Sequence, residues 1–283
     1  MALKRLPNQP PSPRPDARFA FGENWRRYLE VLDEERIAVA ERSLQDMLEC
    51  ETLEGRTFLD IGSGSGLFSL AAFRLGAQRV HSIDIDPSSV RCTQELRARY
   101  ARDAARWVVE VGSVLDEDYL RSLGQFDIVY SWGVLHHTGD MKRALANAAL
   151  PVAPAGRLFI AVYNDEGRSS RRWVKLKWLY NQLPRQLRIP YVLVVMAPRE
   201  LRALAASAIR GRPQDYIRTW MHYKRQRGMS RWHDMVDWVG GYPFEFATAT
   251  EIFNFYRHRG FVLVQLVTGG SMNQFVFERP LGR

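Results

Sequence analysis

Five short apolar runs between Thr57 and Tyr163 alternate with stretches of helical periodicity, and that alternation leaves few folds open. Thr57 to Ile61 is a strand, followed by a glycine turn and a helix from Leu67 to Leu75. Arg79 to Ile85 is the second strand. Asp86 then stands as an N-cap with Pro87 at the first helical position, which predicts a helix through Tyr100. Trp107 to Val111, Phe126 to Ser131 and Arg157 to Tyr163 are the third, fourth and fifth strands, with a helix over Met141 to Ala149 before the last. The pattern breaks after Tyr163 and resumes at Thr248-Ala249-Thr250-Glu251, a capping box for a helix that Gly260 closes. Phe261 to Val267 and Gln274 to Glu278 are joined too closely for a crossover helix, so they should run antiparallel. The expected fold is α/β: a doubly wound, mostly parallel seven-stranded sheet, helices on both faces, with an inserted helical cap.

The pieces outside the alternation divide the chain further. Residues 1 to 16 hold Pro7, Pro10, Pro11, Pro13 and Pro15, and a disordered tail is expected up to about residue 18. Residues 19–54 are expected to form a helical lid, with Trp25, Tyr28, Leu29 and Leu32 on one face and Ile37, Leu44 and Leu48 continuing it. The core would then be 55–163 and 248–283, and the helical insertion 164–247. That insertion holds the basic charge. Between Arg168 and Arg231 there are 16 Lys and Arg against two acids, Glu200 and Asp215, a net of +14, while the whole chain is only +9. Such a segment suits an anionic partner: a phosphate-bearing substrate, RNA or a lipid surface. Arg168 to Leu183 projects as a basic amphipathic helix, with Trp173, Leu176, Leu179, Tyr180 and Leu183 on one side. It is either peripheral membrane contact or a cap helix packing inward.

Several classes are excluded. No apolar run approaches the roughly 20 residues of a membrane span, and the longest, Tyr191 to Ala197, is closed by Pro190 and Pro198. The N-terminus lacks the apolar core of a secretory signal. Cys50 and Cys92 are too few for a disulfide framework or a zinc site, and no metal-ligand spacing occurs. The expected compartment is the cytoplasm.

The chemistry concentrates at strand ends. Asp60-Ile61-Gly62-Ser63-Gly64-Ser65-Gly66 sets three alternate glycines between the first strand and its helix, where a backbone without Cβ can approach a ligand closely. The spacing is G-x-G-x-G, and Asp60 suits a cationic ligand end where a pyrophosphate would be repelled. Asp84 ends the second strand about 20 residues past the glycines, in position to accept both hydroxyls of a ribose; Asp86 already fills the helix-start role.

The segment Phe58 to Pro87 resembles motif I and the following acidic motif of class I S-adenosylmethionine (SAM)-dependent methyltransferases. Phe126 to His137 resembles their fourth-strand motif. The similarity covers about residues 55–163 and 248–279 and is closest to the small-molecule branch that includes ubiquinone-biosynthesis O-methyltransferases. Ser131 to His136 is also similar to a tRNA wobble-uridine modifying enzyme. The resemblance implies a Rossmann-like methyltransferase fold and SAM as cofactor, leaving S-adenosylhomocysteine. It places Asp60, Gly62 and Gly64 at the methionyl part, Asp84 at the ribose, Ser113 and Val114 at the adenine, and Ser131 and Trp132 at the sulfonium side, with Ser63 and Gly66 also among the cofactor-binding residues. It leaves 164–247, and with it the acceptor, unassigned.

His136 and His137 follow the fourth strand. If a hydroxyl is methylated its proton must leave, and an imidazole suits that task, so His136, and less so His137, is the candidate base; the alternative is that both cap the turn. Trp232, His233, Asp234 and Tyr242 form a candidate acceptor pocket, or else a packed turn around Trp232 and Trp238. Trp25 and Tyr28 are acceptor or lid candidates. The expected function is methyl transfer to a small-molecule or lipid-like acceptor at oxygen. The rivals are an RNA-modifying methyltransferase, which would use the basic segment but lacks a recognisable RNA module, and a SAM-binding regulator without turnover.

Overall fold

The computed structural model describes residues 22–101, 103–227 and 231–282. The proline-rich tail, 1–18, lies outside them. The chain divides into two units. Among the described residues, one comprises 22–167 and 245–282, the other 168–244.

The first unit is built on one seven-stranded sheet in the order β3-β2-β1-β4-β5-β7-β6. Its strands are β1 (Thr57–Ile61), β2 (Arg79–Asp84), β3 (Trp107–Val111), β4 (Phe126–Trp132), β5 (Val152–Tyr163), β6 (Val262–Val267) and β7 (Met272–Glu278). β1 to β5 pair in parallel and β7 runs antiparallel to both β5 and β6. The doubly wound expectation holds, including the closing hairpin. Side chains alternate across the sheet because the strand period is two. Leu59, Val129, Leu158 and Ile160 enter one core together with α6 (Met141–Ala148) and α11 (Ala249–Arg257). Their neighbours Phe58, Ile128, Tyr130 and Phe159 enter the other, with α2 (Glu34–Leu48), α3 (Leu67–Arg74) and α4 (Pro87–Tyr100). Burying each such side chain contributes roughly 1.5–3 kcal/mol, so a one-residue slip of any inner strand would be costly.

Local chemistry sets the helix limits. Asp86 caps α4 by accepting the Ser88 N–H, with Pro87 opening the helix, and Thr248 and Glu251 complete the capping box of α11. The N-terminal helical region is not one run. It breaks into α1 (Gly22–Leu29) and α2 because Asp33 accepts the Arg36 N–H and starts a new helix. β5 begins at Val152, five residues ahead of the expected Arg157, since Val152 already pairs with Phe126. A short helix, α5 (Glu117–Ser122), capped by Asp116, also lies outside the sequence expectation.

The second unit is helical: α7 (Arg168–Gln182), α8 (Arg185–Ile209), α9 (Pro213–Arg227) and α10 (Arg231–Gly240). Its core gathers Tyr180, Val192, Met196, Met235 and Val239, with Trp173, Trp232 and Trp238 packed against it. Most of the apolar side of α7 packs here, although Leu179 is exposed. Val174 and Tyr180 are buried and Trp173 and Leu176 half-buried.

Candidate functional site

The sheet reverses its winding between β1 and β4, and open α/β sheets bind ligands at the carboxyl ends of strands beside such a point. The glycine turn lies there. Gly62 and Gly64 both have positive φ, 82° and 55°. A Cβ on Gly62 would stand 2.4 Å from Val134, and one on Gly64 would stand 2.9 Å from the Trp25 indole. Gly64 donates its backbone N–H to Asp84 Oδ2 at 3.0 Å, while Asp84 Oδ1 accepts from Asp86 N at 2.9 Å. The turn and the second acid are therefore one device, with the Asp84 carboxylate held rigid beside the glycine backbone. Ser63 is tied to Thr93 of α4 at 3.0 Å, and Gly66 starts α3 in the left-handed region.

Asp60 is deeper than its motif role suggests. It is buried, and its Oδ2 accepts from Ser69 Oγ at 2.6 Å. Ser69 meets Ser82 at 2.7 Å, and Ser82 accepts from Trp107 Nε1 at 2.8 Å. Burial pushes the Asp60 carboxyl up to about 7, with the Ser69 hydrogen bond opposing and the Asp84 charge adding. Burial likewise pushes Asp84 up to about 6, against its backbone hydrogen bonds. Two buried acids thus stand near the carboxyl ends of the adjacent strands β1 and β2, each with its charged form disfavoured by burial.

The exposed residues at the neighbouring strand ends are apolar. Ile85, Val111 and Trp132, one at the carboxyl end of each of β2, β3 and β4, are exposed large hydrophobics. Sequence reasoning named only Trp132; exposed positions just past strand ends carry no separate signal in the chain. Ser131 is fully buried and donates to Ile61 O at 3.0 Å, bracing β4 against β1. Val114 packs in the core, which leaves its backbone as the part able to meet a ring. Ser113 Oγ accepts from Leu115 N at 3.2 Å.

His136 and His137 lie in a short 3-10 turn after β4. The Tyr163 backbone N–H donates to His136 Nδ1 at 3.3 Å, and the His136 carbonyl accepts from Glu245 N at 2.9 Å. An imidazole whose Nδ1 accepts carries its proton on Nε2, so His136 is a donor with its basic lone pair already engaged. The His136 ring is fully buried. His137 is half-buried, with its ring edge-on to Tyr163 at 5.6 Å.

Trp25 lies against Gly64, and Tyr28 meets Trp25 edge-on at 6.3 Å. The structure thus brings Trp25, Gly64 and Asp84 together. Trp232, Asp234 and Tyr242 belong to the helical unit, where Trp232 packs on that unit's core and Tyr242 is buried. The His233 side chain lies outside the described residues. Sequence reasoning missed Lys177. It is buried, donates to the Trp238 carbonyl, and holds its Nζ 4.5 Å from the Trp238 ring and 4.8 Å from that of Phe244. Its place on a basic helix gave it the look of surface charge.

Residues 59–158 match the family model described as a methyltransferase domain. Over 125 residues the chain is 33% identical to a ubiquinone biosynthesis O-methyltransferase of Methylobacterium sp. (strain 4-46), covering 44% of this chain and 48% of that protein. Over 119 residues it is 33% identical to a tRNA U34 carboxymethyltransferase of Methylococcus capsulatus, covering 42% and 36%. The chain spans about half or less of the length of these relatives. Among solved structures, magnesium protoporphyrin IX methyltransferase from Synechocystis PCC 6803 with bound SAH superimposes with a TM-score of 0.51 at 13% identity. The match covers 91% of this chain and 94% of that one, a likeness of fold.

Proposed function

We propose that this chain, whose core belongs to the class I S-adenosylmethionine-dependent methyltransferases, transfers a methyl group to a hydroxyl of a small-molecule or lipid-like acceptor. The observation that carries the reading is the glycine turn, where the Asp84 carboxylate is held by the Gly64 and Asp86 backbone N–H groups and exposed apolar residues, Ile85, Val111 and Trp132, stand at the neighbouring strand ends. That combination fits the cofactor residue by residue. Asp84 would take the ribose hydroxyls. Gly62 and Gly64, having no Cβ, would take the methionyl part, with Asp60 supplying negative potential behind the turn. Ile85 and Val111 would flank the adenine, with Ser113 and the Val114 backbone at its edge. A pyrophosphate would meet two acids here and be repelled.

When bound, S-adenosylmethionine supplies an electrophilic methyl carbon on a sulfonium sulfur. The chain's own contribution is to hold the acceptor in near-attack contact and take its proton. His137 is the residue assigned to the proton. His136, donor at Nε2 and fixed at Nδ1 by Tyr163, positions the turn that carries it. The helical unit, 168–244, is assigned to acceptor selection, with Asp234 and Tyr242 as its candidate contacts. Support for a small-molecule acceptor comes from the ubiquinone-type relative, and the basic charge of the helical unit keeps an RNA acceptor as the second reading.

The test is methyl transfer from labelled S-adenosylmethionine to metabolite extract, lipid extract and total RNA in parallel, with wild type and His137→Ala. Label in a base-stable product of the first or second extract is expected, falling roughly a hundredfold in the variant while cofactor affinity persists. Label confined to RNA would move the acceptor to the second reading. Cofactor binding with no label in any extract would favour a regulator.

A further inference from the structure

The turn that follows β3 is held from two helices, and the way it is held decides which of its backbone groups stay open. Gly112 donates its N–H to the Asp84 carbonyl at 3.0 Å, and Asp116 donates to the Ser113 carbonyl at 3.0 Å, closing a turn over residues 113–116. Leu115 donates to Ser113 Oγ at 3.2 Å. From α6 the Asn147 side chain donates from Nδ2 to the Val114 carbonyl at 2.9 Å. From α5 the Tyr119 ring lies so close to Gly112 that a Cβ there would stand 2.4 Å from it, and the Tyr119 hydroxyl is anchored on Glu110 of β3 at 2.6 Å.

Asn147 stands out on its helix face. It is 3% exposed, and the other buried residues of α6 are Met141, Ala144, Leu145 and Ala148, all apolar. A buried amide costs stability unless it is hydrogen-bonded, and an apolar residue would fill the same place without that demand. What Asn147 supplies is direction. The Val114–Leu115 peptide is planar and held at both ends, its carbonyl by Asn147 and its N–H by Ser113 Oγ. The preceding peptide, Ser113–Val114, has its carbonyl turned to Asp116 and so its N–H to the opposite side. The Val114 side chain, packed in the core, is a third tie. Both carbonyls of Ser113 and Val114 are thus used within the fold, whereas their N–H groups meet no acceptor among the described residues. The edge left open consists of donors, and the ring nitrogens of adenine are acceptors.

We infer that Asn147 is a positioning residue for the purine end of the cofactor: by fixing the Val114 carbonyl it keeps the Val114 N–H turned to a ring nitrogen of the adenine. The inference rests on the adenine placed at Ser113 and Val114 above, and adds the side chain that makes those N–H groups available. Asn147 acts through the turn, from the core side of it, and the Tyr119 ring keeps the turn from sliding along β3.

Calorimetry on the full chain tests it, with S-adenosylhomocysteine and its 1-deaza and 3-deaza analogues, in each of which one ring nitrogen is replaced by C–H. The wild type should bind one of the two analogues about tenfold more weakly than S-adenosylhomocysteine. Asn147→Ala should bind S-adenosylhomocysteine about tenfold more weakly, and lose no more than about twofold further with either analogue, because the hydrogen bond that the analogue lacks is no longer made. Circular dichroism checks that the variant is folded. Asn147→Ser, whose hydroxyl is too short to reach the carbonyl, reads the same coupling should Asn147→Ala not fold. A folded variant that melts earlier yet keeps the full wild-type penalty for the analogue would overturn the inference and leave the adenine reading standing, with Asn147 a packing residue. A wild type that binds all three ligands equally would take the adenine away from Ser113 and Val114, and the inference with it.

Discussion

At the scale of single residues, Asp84 holds the most consequence for its size. Its two oxygens already order Gly64 and Asp86, so it is ready to accept from a ribose without rearrangement. Asp84→Ala should therefore weaken S-adenosylmethionine and its demethylated product by about 2–3 kcal/mol, measured by calorimetry on a folded variant. Unchanged affinity would remove the ribose assignment. Asp60 gives a different kind of prediction. Burial raises its pKa to about 7, whereas in the unfolded chain it titrates near 4, so the folded state binds more protons between those values. Stability of the ligand-free protein should then fall as pH rises from about 4 to 7 and level off above. Asp84, pushed up to about 6, adds in the same direction. Asp60→Asn keeps an acceptor for Ser69 and removes the ionisation, so its melting temperature should vary less with pH across that window. An equal slope in wild type and variant would contradict the assignment. Asp84 was legible in the sequence because a strand end and a glycine turn fix its place. Ser69, Ser82 and Trp107, which complete the Asp60 network, were not, since three elements must fold together before their hydroxyls and indole meet.

At the scale of elements, legibility followed local signals. The strands β1 to β4 and the caps of α4 and α11 were readable because a strand or cap is set by neighbours in sequence. The break between α1 and α2 was missed although Asp33 is a good cap, because the apolar spacing carries across it. The helical unit yielded one amphipathic stripe where four helices stand among the described residues, since its core is small and many of its apolar residues are exposed. α1 shows how an element can serve the site without chemistry of its own. Leu29 is buried, its carbonyl accepts from Arg99 at 3.3 Å, and Trp25 covers Gly64. Trp25→Ala should uncover the turn and raise the dissociation constant for S-adenosylmethionine by about tenfold, or 1.4 kcal/mol. Dissociation should account for most of the change, read by stopped flow. A variant that melts earlier yet binds the cofactor as tightly would make α1 a packing helix only.

At the scale of the whole molecule, charge is divided unevenly, with +14 between Arg168 and Arg231 in a chain whose total is +9. The rest of the chain is therefore net negative, and the cofactor cleft lies in that part, lined by Asp60 and Asp84. Ionic strength should then act differently on the two halves of the reaction. Cofactor binding rests on short-range, buried contacts that salt screens little, whereas recognition of an anionic acceptor by exposed Lys and Arg weakens within a Debye length of about 8 Å at physiological salt. Arg171, Arg172 and Lys175 are exposed on α7 and clear of the unit's core. Replacing all three by Gln should leave the S-adenosylmethionine dissociation constant within about twofold, because no cleft residue is touched. The same change should lower kcat/KM for an anionic or membrane-embedded acceptor and flatten its fall with salt, because the screened interaction has been removed. Steady-state kinetics at two ionic strengths, beside calorimetry of the cofactor at the same two, separate these effects. If the triple variant uses its acceptor at the wild-type rate and with the wild-type salt dependence, the basic charge of α7 is a solvated surface and acceptor selection lies elsewhere.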